Sequence, residues 1–190
     1  MYAAFRQHVY NWLFRLRGPE SGVVVLVQRR VFILPTRQGL LFALVLVLML
    51  TGSVNYGLSL GFVLTFLLGA MTINAMLYTY RNLANLRISS GRARAVFAGE
   101  IARFVLVIEN PSDNDRYSVG FTRGAGDAEY ADIGAQQTIY FAVPIPAPRR
   151  GILRAGRLTL FTQFPLGLYR AWSYFEPSTQ CIVYPRPAPR

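Results

Sequence analysis

The stretch "RQGLLFALVLVLMLTGSVNYGLSLGFVLTFLLGAMTINAMLYTYR", Arg37 to Arg81, decides the fold. Its two terminal arginines enclose 43 residues without an acid, an arginine, a lysine or a histidine. One membrane-crossing helix needs about 20 apolar residues, so this length is sufficient for two. Gly, Ser and Asn interrupt the run at "TGSVNYGLS", Thr51 to Ser59, and supply turn chemistry. We therefore predict a helical hairpin with helices at about 35–53 and 58–80.

A membrane location fits this hairpin better than a buried position in a soluble protein. The chain of 190 residues is 53% hydrophobic with a mean hydropathy of +0.30, and a soluble domain of this size seldom buries 43 uncharged residues in sequence. Tyr56 lies near one end of the second predicted helix, and Tyr78 and Tyr80 lie near the other, as interfacial aromatic residues do.

Arginines flank the hairpin on both sides and predict its orientation. The net charge of +11 comes from arginine alone, and no acid occurs between Ser21 and Gly99. The flanking basic residues are Arg29, Arg30, Arg37, Arg81 and Arg87. The positive-inside rule then predicts a multi-pass membrane protein with both termini in the cytoplasm. Juxtamembrane arginine also suits anionic lipid, so we expect the bilayer, and not nucleic acid, as the partner of these charges.

Residues 1–28 precede the hairpin region and form a separate predicted unit. Phe5, Val9, Trp12 and Leu16 recur at helical spacing, and arginines lie elsewhere on the helical wheel. Such an amphipathic segment lies either in the membrane surface or against the protein's own domain. We divide the remainder into the hairpin, 29–81, and a β-domain, 82–190.

Small residues recur every fourth position along the second predicted helix, at Gly57, Gly61, Thr65 and Gly69. A row of small side chains lets another helix approach closely. The first helix of the same chain is one candidate for that neighbour, and a second copy in a homo-oligomer is the other.

After Arg81 the sequence changes to short β-branched and aromatic stretches that are separated by turn clusters. Seven strands are predicted, at 86–90, 101–109, 117–122, 137–143, 157–163, 168–175 and 181–184. This number fits an immunoglobulin-like sandwich, although one cysteine cannot form the inter-sheet disulfide of antibody domains. The predicted fold class is therefore α+β: a two-helix transmembrane hairpin followed by an all-β sandwich.

The residues that usually carry catalysis are scarce. One Cys and one His exclude a Cys/His zinc site, and a chain without lysine has no phosphate-binding Gly-x-x-x-x-Gly-Lys motif. We therefore predict no catalytic residue, no metal site and no cofactor, and expect that the chain is not an enzyme.

The order of these segments resembles the N-terminal half of the bacterial proteins of domain of unknown function 58, which are associated with MoxR-type AAA ATPases. The matching segments are "RRVFILPTRQGLLFALVLVLMLTGSVNYGLSLGFVLTFLLGAM", "RNLANLRI", "VFAGE", "RRGILRAGRLTLFTQFPLGLYRAWS" and "VYPRP", within about Arg29 to Pro187. The resemblance implies a membrane hairpin, a β-sandwich-like region and then a von Willebrand factor A-like domain. In that family the last domain follows the segment that matches "VYPRP", so no metal-site residue is carried over to this sequence.

The segment "TQFPLGLYRAW", 162–172, allows two interpretations. Its Pro-Leu-Gly forms the bend between two strands, or its turn docks the domain that the family places next. The candidate interdomain docking residues are Phe164, Pro165, Leu166, Gly167 and Trp172.

The function expected from these features is a protein-interaction or scaffold module: an integral inner-membrane protein with a cytoplasmic β-sandwich, in a MoxR-type ATPase system. The alternatives are an envelope-facing binding module and a non-catalytic subunit of a membrane enzyme or transport complex.

Overall fold

The computed structural model describes residues 22–26, 30–123 and 128–186. Two helices, α1 (Arg37–Tyr56) and α2 (Ser59–Leu83), form the predicted hairpin. Both are long and apolar enough to cross a membrane by length and composition, and only 11% of each apolar window is buried within the chain.

The turn of the hairpin is tighter than the sequence predicted. Helix α1 continues to Tyr56, so Asn55 belongs to its last turn and not to a loop. Gly57 follows with φ +62°, a left-handed conformation that glycine adopts without strain. Ser53, the last residue of the first predicted helix, lies within α1, and its hydroxyl donates to the Met49 carbonyl at 2.8 Å.

The rest of the described chain forms twelve strands. They are β1 (Val24–Val25), β2 (Phe32–Pro35), β3 (Arg87–Ala93), β4 (Val96–Phe97), β5 (Ile101–Glu109), β6 (Arg116–Thr122), β7 (Glu129–Ile133), β8 (Thr138–Pro146), β9 (Gly151–Arg154), β10 (Leu158–Thr162), β11 (Tyr169–Phe175) and β12 (Gln180–Tyr184).

These strands make three sheets. Sheet I has the order β1-β3-β5-β8, sheet II the order β2-β11-β10-β6-β7, and sheet III the order β4-β12-β9. All pairs are antiparallel except β4 with β12. Buried side chains of sheets I and II, such as Leu106 and Leu160, belong to one core cluster, so these two sheets pack against each other.

Sheet III lies where β3, β8 and β11 end, away from the hairpin. The Thr179 hydroxyl donates to the Gly91 carbonyl at 2.9 Å, and the Gly99 amide donates to the Ala147 carbonyl at 2.8 Å. By contrast, β3 begins four residues after α2, and β11 begins directly after a loop that contacts both helices.

The predicted domain boundary at residue 82 needs correction. Strands β1 and β2 precede the hairpin, yet β1 pairs with β3 and β2 pairs with β11. The hairpin is thus inserted between strands of the β-domain. The sequence did not predict β1 and β2, because β1 has only two residues and β2, "FILP", is continuous with the apolar run that follows it. Each of the seven predicted strands is present; short or irregular β4, β7 and β9 were also missed.

A junction between the hairpin and sheet II

Helix α2 ends against the β-domain without a linker. Thr79, Asn82 and Leu83 in its last turns are buried, and Leu83 belongs to the same core cluster as the sheets. Ala84 and Leu86 directly after the helix are buried as well. The chain therefore passes from helix to strand inside the packed core.

The side-chain amide of Asn82 holds α2 to two strands of sheet II. Its Nδ2 donates to the Tyr117 carbonyl at 2.7 Å and to the Thr162 hydroxyl at 2.9 Å, while its Oδ1 accepts from the Tyr117 amide at 3.0 Å. The residue is 5% exposed. A buried amide left without partners would be destabilising, so this full set of bonds fixes the helix end relative to β6 and β10.

The loop at 163–168 contacts both helices. The Thr79 hydroxyl lies 2.8 Å from the Phe164 carbonyl. The Thr36 hydroxyl donates to the Gly167 carbonyl at 2.6 Å, and the Thr36 amide donates to the Leu168 carbonyl at 2.9 Å. Because Thr36 also caps α1 by accepting from the Gly39 amide at 3.1 Å, one residue joins the helix start to the loop.

Gly39 allows the close approach of α1 to this loop. A Cβ atom at position 39 would collide with the Leu168 carbonyl, so only glycine fits there without movement. We call the contact set of Thr36, Gly39, Thr79 and Asn82 with sheet II and the 163–168 loop the junction.

The predicted docking residues separate into three groups. Phe164 and Gly167 contact the hairpin of the same chain, and the Phe164 ring packs on Tyr117 with centroids 5.1 Å apart. Pro165 and Leu166 are exposed. Trp172 lies on β11, opposite Phe32 of β2, with ring centroids 5.9 Å apart. The part of the loop that the sequence assigned to another domain is thus partly occupied by the chain's own helices.

Arg116 is a buried arginine that lies beside the junction, at the C-terminal end of α2. The Arg116 guanidinium donates to the Arg81 carbonyl, to the Ser112 hydroxyl at 3.0 Å and to the Asn110 side-chain oxygen at 3.4 Å. A cation at a helix C-terminus is favourable because the helix dipole is negative there. Burial, followed by the nearby charge of Arg81, lowers the pKa of Arg116 from its ordinary value.

Asn110 organises the loop before Arg116. It is fully buried; its Nδ2 donates to the carbonyls of Asn114 and Gly134, both at 2.9 Å, and its Oδ1 accepts from the Ser112 hydroxyl at 2.7 Å. Asn110 therefore links two turns at the hairpin end of the β-domain.

A cleft of about 450 Å³ lies beside the junction. Its lining includes Arg81, Asp113, Asp115 and Tyr117. The Tyr117 hydroxyl donates to Asp115 Oδ2 at 3.0 Å, and this bond, with the Asp115 charge, raises the pKa of Tyr117. Within the described ranges, no three His, Cys, Asp or Glu side chains come together in a geometry that could hold a metal ion. The cleft therefore presents charged groups of both signs.

The predicted membrane-flanking arginines do not form a uniform basic belt. Arg37 and Arg81 are exposed at the base of the two helices, whereas Arg87 pairs with Glu109 at 3.2 Å. Arg30 is half-buried, and Arg29 lies outside the described residues, as does most of the predicted 1–28 segment. Asp113 and Asp115 also face this end of the β-domain. Folding thus brings acids beside arginines that are separated from them in sequence.

The four small residues predicted along the second helix occupy different environments, and only three of them lie within α2. Gly57 forms the turn, and Gly61 lies against the Ser53 side chain of α1, where an added Cβ would collide. Thr65 is buried, and its hydroxyl donates to the Gly61 carbonyl at 2.8 Å. Gly69 has open space beside it within a groove between the helices. Packing within the hairpin therefore uses Gly61 and leaves Gly69 free of such contact.

Sequence reasoning missed the four junction residues, Thr36, Gly39, Thr79 and Asn82, and also Asn110 and Arg116 beside them. Only Asn82 carried a signal, as a polar residue directly after an apolar span. A comparison with known protein families finds none that matches this chain, and a comparison with curated proteins finds no significant match.

Proposed function

We propose that this chain is an integral protein of the bacterial inner membrane whose β-domain is a protein-interaction scaffold, held rigidly at the membrane surface on the cytoplasmic side. The observation that carries the proposal is the junction. Hydrogen bonds from Thr36 and Thr79 join the two helices to the 163–168 loop, and a buried hydrogen bond from Asn82 joins α2 to sheet II.

The dimensions of the hairpin support insertion in a bilayer. At 1.5 Å per residue, α1 with 20 residues and α2 with 25 residues span about 30 Å and about 38 Å, against a hydrocarbon core of about 30 Å. Large apolar side chains such as Leu48, Leu60 and Phe66 are more than 60% exposed. Lipid would cover this surface, which is costly to expose to water.

The ends of the helices support the orientation. Arg37 and Arg81 lie at the base beside the β-domain, and no charged residue lies at the tip from Thr51 to Leu60. The positive-inside rule then favours a cytoplasmic β-domain. Both connections to the hairpin are short and anchored, so the domain cannot swing freely as a tethered module would.

The strand order supports an immunoglobulin-like sandwich. Ignoring the added β1 and β2, sheet I has the order β3-β5-β8 and sheet II the order β11-β10-β6-β7. Numbered along the chain, these correspond to strands A-B-E and G-F-C-C′ of that fold. Many cell-surface domains share this architecture, although fold alone does not decide function.

The partner class that the family resemblance suggests is a MoxR-type AAA ATPase. A direct test uses the full chain in lipid nanodiscs and the MoxR-type ATPase encoded closest to its gene, with complex formation measured by size-exclusion chromatography with light scattering. The proposal predicts a co-eluting complex with the nanodisc-bound chain and none with empty nanodiscs. Equal elution of the ATPase in both samples would rule out this partner. Failure of the chain to enter nanodiscs at all would rule out the membrane scaffold.

A further inference from the structure

The outer face of sheet III is apolar and uncovered. Phe97, Ile152, Ile182 and Tyr184 are 42%, 69%, 55% and 49% exposed. Ile182 is directly opposite Ile152, and the rings of Phe97 and Tyr184 have centroids 6.2 Å apart. We call these four residues the distal patch.

Strand alternation places the distal patch on one side of the sheet. On β12, Cys181 and Val183 are buried, so Ile182 and Tyr184 point the opposite way. On β9, Leu153 packs against the core cluster and Ile152 is exposed. The four side chains are therefore neighbours across three strands, and they form a continuous surface instead of scattered exposed residues.

Arginines surround the distal patch. Arg154 follows Ile152 on the same side of β9, and is opposite Gln180. Arg149 and Arg150 come just before β9, and Arg186 comes just after β12. Because β9 and β12 are antiparallel neighbours, the start of β9 and the end of β12 lie at the same end of sheet III. In the part of the chain that the structure describes, none of these four arginines forms an ion pair. The adjacent acid, Glu100, already accepts from the Phe97 amide at 2.9 Å.

Three occupants fit this surface poorly. The bilayer around the hairpin lies at the opposite end of strands such as β11, whose seven residues alone span about 23 Å. A second copy that used the same patch in a symmetric contact would bring arginine against arginine. Nucleic acid would match the arginines but would leave Ile152 and Ile182 without a suitable contact, because base recognition uses aromatic stacking or hydrogen bonds.

An acidic polypeptide with apolar side chains matches both the distal patch and the arginines that surround it. Its carboxylates would pair with the unpaired guanidinium groups, and its apolar side chains would cover the four patch residues. Strand β9 is an edge of sheet III, so its outer backbone groups are also open to an added strand. We propose that the distal patch is the docking surface for an acidic polypeptide segment with alternating apolar side chains. This inference rests on the proposed function, since it names the face by which the scaffold binds its partner.

The test selects ligands from a displayed library of random twelve-residue peptides against the full chain in lipid nanodiscs. Affinities of the enriched peptides are then measured for four exposed-site variants. Ile182→Asp places a charge in the distal patch, and Arg154→Glu reverses the charge of one surrounding arginine. Tyr140→Asp and Arg103→Glu make the same kinds of change at exposed positions on sheet I.

We expect enrichment of peptides that alternate acidic and apolar residues. Their affinity should fall by about tenfold or more in each patch variant and stay within about twofold in each control. Enrichment of basic peptides, no enrichment, or equal losses in patch and control variants would overturn the proposal. So would tighter binding of a single-stranded oligouridylate, lost in the same patch variants.

The outcomes separate this inference from the proposed function. If the chain inserts into nanodiscs but selects no acidic peptide, the docking surface is wrong and the membrane scaffold stands. If the chain remains outside the nanodiscs, the membrane scaffold is wrong, and the same selection on the soluble chain still decides the patch.

Discussion

Asn82, at the end of α2, hydrogen-bonds both backbone groups of Tyr117, the second residue of β6. Its amide nitrogen lies 2.7 Å from the Tyr117 carbonyl and its side-chain oxygen 3.0 Å from the Tyr117 amide nitrogen. Strand β10 pairs with β6 only at residues 120–122, so the Asn82 side chain bonds to β6 beyond the end of that pairing, and the hairpin becomes part of the β-domain's hydrogen-bond network.

Replacing Asn82 by Ala should destabilise the protein by about 2 to 4 kcal/mol, because two backbone groups of Tyr117 and the Thr162 hydroxyl lose a buried partner. Unfolding of the detergent-solubilised chain, followed by circular dichroism, measures the loss. Asn74→Ala is the matched control. Asn74 is exposed on the same helix, and its side-chain amide donates to the Ala70 carbonyl one turn earlier in that helix. Equal losses in the two variants would contradict the role of the junction.

Gly39→Ala should destabilise the attachment of α1 by about 1 to 3 kcal/mol, because the new methyl group meets the Leu168 backbone, which cannot rotate away. Gly52→Ala, in the same helix with open space beside it, should leave stability unchanged or raise it slightly. The rate at which a protease cleaves the 163–168 loop provides the readout. Cleavage should be faster in the Gly39→Ala variant than in the unchanged protein. Unchanged cleavage in Gly39→Ala would show that the helix start does not hold this loop.

Two buried hydroxyls should respond in opposite directions. Ser173 is fully buried, and no described group accepts from or donates to its hydroxyl, so Ser173→Ala should raise stability by about 1 kcal/mol. Thr162 is also fully buried, but its hydroxyl accepts from Asn82 at 2.9 Å, so Thr162→Val should lower stability by about 1 to 3 kcal/mol. Thermal unfolding compares the two variants. The same sign for both would show that hydrogen-bond satisfaction does not set these effects.

Tyr117 should titrate above the ordinary tyrosine pKa. Its bond to Asp115, together with the Asp115 charge, favours the protonated phenol in the folded chain. The folded pKa is thus raised above the unfolded value, so this contribution is complete below pH of about 10 and is lost as pH rises through the folded pKa. Difference absorbance against Tyr117→Phe follows the ionisation. Asp115→Asn should lower the midpoint, and an unchanged midpoint would disprove the assignment.

Sequence patterns predicted the parts of the fold that depend on local periodicity. The uncharged run before Arg81 predicted both helices, and alternation in β5 gave its bounds, Ile101–Glu109, without error. The insertion of the hairpin was not visible, because the pairing of Phe32 with Trp172 joins residues 140 positions apart. Thr36 of the junction and Arg116 beside it were also missed. Their roles depend on contacts that exist only after distant segments have packed, and no local pattern records such contacts.

The acids at the hairpin base show the same limit. The charges along the sequence predicted that only basic residues flank the hairpin. In the folded chain, Asp113 and Asp115 line the same cleft as Arg81. The proposed orientation of the hairpin therefore rests on Arg37 and Arg81, which are exposed at the helix bases.

Cysteine labelling in intact cells tests the central claim, that the hairpin spans the membrane with its base and β-domain inside. In a Cys181→Ser background, a membrane-impermeant maleimide is applied to Asn55→Cys at the tip and to Arg149→Cys in the β-domain. With the outer membrane permeabilised, Asn55→Cys should label at once, and Arg149→Cys should label only after the inner membrane is lysed. Labelling of Arg149→Cys before lysis, with Asn55→Cys protected, would contradict the account.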